Sequence, residues 1–132
     1  MSTLKTSNIQ DTSGSNNSTP EEIGKGRAKA WINFDGTLST IGTGRESYNI
    51  SNVTDNATGN YTINFTNAMS SANFAYTFAI GDGNHTSATR TLSYMSSTTT
   101  SLQILSENAG GSNSAANIDE PQICVVIFGD QP

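Results

Sequence analysis

The chain reads as an all-β protein: an antiparallel, jelly-roll-like β-sandwich of about seven or eight strands, preceded by an extended N-terminal arm and a short helix. Three observations carry that reading. From Ala28 onward apolar residues recur with a period of two, the spacing of strands that bury one face. Clusters of Gly, Asn, Asp and Ser punctuate these runs and supply the turns. Finally, 18 Ser, 18 Thr and 15 Asn fill much of the chain with small hydroxyl and amide side chains, which suit pleated surfaces and turns and disfavour helices.

Residues 1–18 form the arm. Its only sizeable apolar side chains are Leu4 and Ile9, too few to offset an ordering cost of about 1–2 kcal/mol per residue. The arm is therefore expected to be disordered alone and to order by docking on a partner through Leu4, Lys5 and Ile9, with Asp11 to Asn17 as a flexible link. Residues 19–27 hold a short helix at about 20–26: Thr19 caps it, Pro20 takes the first helical position, and Glu22 can reach back to the cap. Gly24 and Gly26 keep it short.

Residues 28–132 form the sandwich domain. Ala28, Ala30, Ile32 and Phe34 alternate with Lys29, Trp31 and Asn33, and Tyr48 and Ile50 alternate with Asn49 and Ser51. Tyr61, Ile63 and Phe65 mark the next inward row, followed by Phe74, Tyr76, Phe78 and Ile80. Ala88, Arg90, Leu92 and Tyr94 share a face, Leu102 and Ile104 mark another strand, and Ile123, Val125 and Ile127 close the chain. Thr37 to Ile41 offers a further short strand. Turns are expected at Asp35-Gly36, Thr54 to Asn60, Asn67 to Asn73 and Gly81 to His85, and a long surface loop at Ser106 to Pro121.

The apolar fraction, 33%, is low for one domain, so partner copies are the expected remedy for a sparse core. Disulfides cannot help within one chain, because Cys124 is the sole cysteine; its apolar run, Ile123 to Phe128, suggests a buried small hydrophobe. Four of the six cations, Lys5, Lys25, Arg27 and Lys29, fall in the first 29 residues, leaving a body of −6 that disfavours phosphate backbones. No nucleic-acid partner is expected of it. The opening Met1 to Thr6 does not resemble a signal peptide, and no window approaches a membrane span, so the expectation is a protein made soluble in the cytoplasm, with no membrane insertion.

Catalytic sets are hard to assemble. His85 is the only histidine, which excludes a Ser-His-Asp relay or a two-histidine zinc site within one chain. Asp82-Gly83-Asn84 lacks the spaced carboxylates of a calcium loop, and Asp35, Asp55 and Asp82 lie where turns favour aspartate for backbone reasons. Gly42-Thr43-Gly44 has no following Lys-Ser/Thr pair and is no phosphate loop. The expectation is a non-enzymatic protein with no cofactor, no metal and no catalytic residue. Trp31, opposite Ile32 and Phe34 on its strand, fits a subunit interface better than a sugar-stacking platform. Loop tips carrying Asp55, Asn56, Asn60, Asp82, Asn84 and His85 are the candidate receptor-facing surface.

One long stretch carries a resemblance. Gly26-Arg27-Ala28-Lys29-Ala30-Trp31-Ile32-Asn33-Phe34-Asp35-Gly36, followed by Ser47 through Met69 (SYNISNVTDNATGNYTINFTNAM), resembles a module frequent in tail-fibre and other virion proteins of marine and cyanobacterial bacteriophages. Thr3-Leu4-Lys5 and Ile9-Gln10-Asp11-Thr12-Ser13-Gly14 resemble the start of such proteins. The likeness covers about residues 3–80 and brings no catalytic residues. It implies a structural virion protein and a homotrimer: a tail-fibre, tail-tip or appendage subunit held by its arm to other phage structural proteins and able to contact the host surface. A head decoration or head-fibre protein is the alternative within that class. A carbohydrate-binding module recognising host glycan is the alternative outside it.

Overall fold

The computed structural model describes residues 2–15, 17–81, 89–110 and 114–131. The fold is an all-β sandwich of two antiparallel sheets with one short helix, as the period-two alternation requires. In chain order the elements are α1 (Pro20–Gly26), β1 (Ala30–Phe34), β2 (Glu46–Tyr48), β3 (Ile50–Ala57), β4 (Asn60–Phe65), β5 (Ala75–Gly81), β6 (Thr89–Thr98), β7 (Ser101–Gly110), β8 (Ser114–Asn117) and β9 (Gln122–Phe128). One sheet runs β2-β1-β9-β5; the other runs β3-β4-β7-β6, with β8 also paired to β7.

α1 begins where its cap residues place it. Thr19 Oγ1 accepts from Glu22 N at 3.1 Å while the Glu22 carboxylate accepts from Thr19 N at 2.7 Å, and Lys25 bridges to Glu21 one turn back. Of the neighbouring cations, Lys25 is thus paired, Lys29 is buried and Arg27 is exposed.

The core lies between the sheets. Ala30, Ile32 and Phe34 of β1 and Ile123, Val125 and Ile127 of β9 face Tyr61, Ile63 and Phe65 of β4 and Leu102 and Ile104 of β7, all buried. Phe34 meets Tyr61 edge-on at 5.2 Å, and Phe65 meets Phe74 edge-on at 5.6 Å. Burying such a side chain contributes about 1.5–3 kcal/mol, so these few large groups supply most of the folding drive of a polar chain.

Four local expectations need correction. Tyr48 and Ile50 do not share a strand: Asn49 between them takes φ 58° and turns the chain from the first sheet to the second. Its side chain clasps Asn67, Oδ1 accepting from Asn67 N at 2.7 Å and Nδ2 donating to Asn67 O at 3.1 Å. Thr37 to Ile41 forms no strand, because Gly42 and Gly44 turn back at positive φ, tucking Ile41 into the core and leaving a single bridge from Gly42 to Val53. The expected turn at Thr54 to Asn60 shrinks to Thr58-Gly59, with Asp55 and Asn56 in β3 and Asn60 in β4. The expected loop at Ser106 to Pro121 is largely strand, because backbone pairing of β6, β7 and β8 is indifferent to the Ser, Asn and Ala side chains of that stretch.

Cys124 also departs from expectation. The apolar run alternates like any strand, so Cys124 points to the outer face and is only partly buried.

Gly59 illustrates how tightly one end is drawn together. It sits at φ 70°, a Cβ there would run into the carbonyl of Ser106, and its own N–H and C=O bond Asp119 Oδ1 (2.6 Å) and Ser106 N (2.7 Å). Gly59→Ala is expected to destabilise the fold by about 1–3 kcal/mol, whereas Gly24→Ala, in a helix with open space around it, is expected to be neutral or stabilising by up to about 1 kcal/mol; urea unfolding of the two variants checks both signs.

Candidate interaction surface

The outer face of the first sheet is built by the same alternation that builds the core. With Ile32 and Val125 turned inward, their neighbours must turn out, and the strand register aligns them into rows across the sheet. One row reads Thr77, Val126, Trp31, Tyr48 from edge to edge; the next reads Ala79, Cys124, Asn33, Glu46. Ala75 and Phe128 add to the apolar end. Trp31, Val126 and Phe128 are half-buried and Tyr48 is 48% exposed, so the first row is an uncharged apolar band open to solvent. Trp31 thus lies on the outward side of β1, away from the core.

Two hollows flank the band. One, of about 310 Å³, is lined by Arg27, Ala28, Trp31 and Tyr48. The other, of about 190 Å³, lies between β5 and β9 over Ala79, Ile80, Gly81, Gln122 and Cys124.

Among the described residues, Arg27, Asp35, Arg45 and Glu46 carry charge toward the ends of this face. Arg45 donates to Asn33 Oδ1 (3.3 Å), Asp35 Oδ2 (2.8 Å) and Pro121 O (2.7 Å), so its guanidinium ties the 35–45 segment down at one end of the face. Hydrogen bonds from Thr37 hold the Asp35 carboxyl below the ordinary aspartate range, with Arg45 adding to the effect.

The remaining expected site residues are scattered. Leu4 is 87% exposed, Ile9 is 51% exposed and Lys5 is exposed, all on an arm that folds back at its far end through a bridge between Ile9 and Ser18. The Asp11 carboxylate organises that turn by accepting from Ser13 N and Ser15 N. Asp55 and Asn56 are exposed on β3, and Asn60 is engaged by Asn56 and Gln103. Asp82, Asn84 and His85 lie outside the described residues. The described residues contain no group of three or more His, Cys, Asp or Glu side chains able to hold a metal.

A polar cluster that sequence reasoning missed lies inside the fold. Tyr61 Oη lies 2.7 Å from Asp119 Oδ1 and 3.2 Å from Gly36 O, and its single proton favours the shorter contact, to the carboxylate. Burial and then the Asp119 carboxylate push the Tyr61 phenol up, so it remains a neutral donor. Beside it Glu120, 1% exposed, pairs with Arg90. The one signal was the doublet Asp119-Glu120 set against Pro121 and the last apolar strand. The Tyr61–Asp119 and Arg90–Glu120 contacts tie elements together, a structural use of buried polar groups, while Arg90 Nη1 and Ser106 Oγ are buried with no hydrogen-bond partner among the described residues.

No protein family, curated protein or solved structure matches the chain.

Two outcomes follow from the geometry. Trp31→Ala should cost the folded monomer well under the roughly 2–5 kcal/mol expected of Ile32→Ala, since only the latter opens a cavity in the core; chemical unfolding under dilute conditions measures the difference. Asp35, with its depressed folded pKa, stabilises the fold above the ordinary aspartate pKa, and that contribution is lost as pH falls through the lower folded value. Asp35→Asn is therefore expected to lower the melting temperature at neutral pH, the gap to wild type closing in strong acid.

Proposed function

We propose that this chain is a structural surface protein of a bacteriophage particle, a homotrimeric tail-fibre, tail-tip or appendage subunit that attaches through its N-terminal arm. The observation that carries the reading is the uncharged apolar band Thr77–Val126–Trp31–Tyr48, a surface suited to another protein rather than to water, on a domain with a small core. The resemblance of residues 26–69 to phage virion proteins supplies the setting. The arm supports the same role, because Leu4 and Ile9 stand clear of the body, where another virion protein can bury them.

The hollow between Trp31, Tyr48 and Arg27 favours a second reading, in which the aromatic pair stacks on a host glycan. Binding of the isolated protein to a glycan array that is abolished by Trp31→Ala supports that reading over a purely architectural role.

Imaging of purified particles with a labelled antibody to the protein tests the main proposal. Label at a fixed place on the particle is expected, and particles that lack the protein overturn it. Deleting residues 2–17 is expected to leave a folded domain that no longer incorporates; incorporation at the wild-type level removes the docking role from the arm.

A further inference from the structure

The sandwich is open along one side. β5 ends the first sheet and β6 ends the second, and among the described residues no strand pairs with the outer edge of either. Tyr76, Phe78 and Ile80 of β5 stand opposite Ile127, Val125 and Ile123, the buried row of β9, so they belong to the inward side. Yet Phe78 is 37% exposed, and Tyr94, paired with the buried Ile104, is 49% exposed. Tyr76 stacks between these two, its ring centre 5.7 Å from Tyr94 and 6.1 Å from Phe78, and Met95 adds exposed apolar surface at a bulge of β6. The β5 segment, AYTFAIG, carries no Lys and no Pro, two usual guards of a free edge.

We infer that this aromatic edge seats on the outer face of the first sheet in a neighbouring copy of the chain, and that repetition of the edge-on-face contact closes the ring. The inference rests on the homotrimer of the proposed function and names the two surfaces that form it.

Two features point to a second copy as the occupant. Identical chains at −5 repel one another, which favours contact through surfaces free of charge: β5 has no charged residue, and among the described residues the face keeps Arg27, Arg45, Asp35 and Glu46 at its ends. The shapes correspond, since the edge projects Phe78 and Tyr94 while the face offers hollows of about 190 and 310 Å³, each with room for an aromatic side chain.

Symmetry then selects the mode. A two-fold contact through the face leaves every edge open, and one through the edge leaves every face open, whereas edge-on-face contacts bury both in each subunit. The edge lies in the plane of the sheet and the face looks along its normal, so successive copies are related by a turn and do not stack in line, as a closed ring requires.

Mixing two variants tests this. Phe78→Lys with Tyr94→Lys disables the edge and leaves the face; Val126→Lys disables the face and leaves the edge. With folding verified by circular dichroism, each variant alone is expected to sediment as a monomer and an equimolar mixture as a dimer, one intact edge on one intact face. Either variant assembling alone to the wild-type size overturns the inference, and so does a mixture of folded monomers. If a variant fails to fold, wild-type Cys124 provides an independent readout, because it lies on the covered face. In the assembled protein it is expected to react slowly with a maleimide and to give no Cys124–Cys124 product with a short bismaleimide; rapid labelling or that cross-link overturns the inference. A wild-type protein that is monomeric at high micromolar concentration removes both the trimer and the contact, whereas an assembled wild type with an assembled edge variant removes the contact alone.

Discussion

The crossover at residues 118–121 holds the two sheets at a fixed separation, and the rest of the architecture depends on it. Within four residues Ile118 N donates to Ser106 O, Asp119 accepts from Gly59 N and Tyr61 Oη, Glu120 O accepts from Gly36 N, and Pro121 O accepts from Arg45. These partners belong to β7, the β3–β4 turn, β4, the segment after β1 and the rim of the first sheet. A polar chain cannot rely on a thick apolar layer to set its geometry. Here the partly buried Asp119 carboxylate shared by a backbone amide and a phenol does so, and each bond is strengthened because it is charge-assisted and partly withdrawn from water.

With that end tied, the sandwich is well closed on the side where Asn49 passes the chain between sheets and open on the side where β5 and β6 end. The asymmetry follows from strand order. β1, β9, β4 and β7 each have neighbours on both sides and bury their inward rows almost completely, while β5 and β6 have one neighbour each and leave Phe78 and Tyr94 half uncovered. The core is therefore small because the inward surface continues past its last strands and meets solvent there. A second apolar surface lies outside the first sheet, and among the described residues Asp35, Arg45 and Glu46 stand at the ends of that face.

Much of this was legible in the residues. The capping box Thr19-Pro20-Glu21-Glu22 located the helix, because its bonds are made within four consecutive residues. The alternation in β1, β4 and β9 located the core and put Trp31 on the outside, because side-chain direction in a strand is set by parity alone. The errors came where backbone pairing overrode composition. Ser106 to Pro121 looked like a loop from its Gly, Ser and Asn content, yet β7 and β8 run through it because β6 supplies a pairing partner. Tyr48 and Ile50 looked like one strand because nothing in the alternation marks a corner; only the positive φ of Asn49, enforced by its clasp on Asn67, separates them.

The sequence by itself determined the fold class, the helix, the inward and outward rows and the want of charge along the fifth strand, since each is a property of neighbouring residues. It could not determine which strands lie side by side. Only tertiary pairing made Val126 a neighbour of Trp31 and Thr77, turning single outward residues into a continuous band. Only the order of strands within the sheets left Tyr76, Phe78 and Tyr94 at an edge. Asp119 and Tyr61 are 58 positions apart, and their meeting rests on the long-range closure of the sandwich. Surfaces and buried polar contacts of this kind depend on residues distant in the chain, and a local pattern carries no information about that distance.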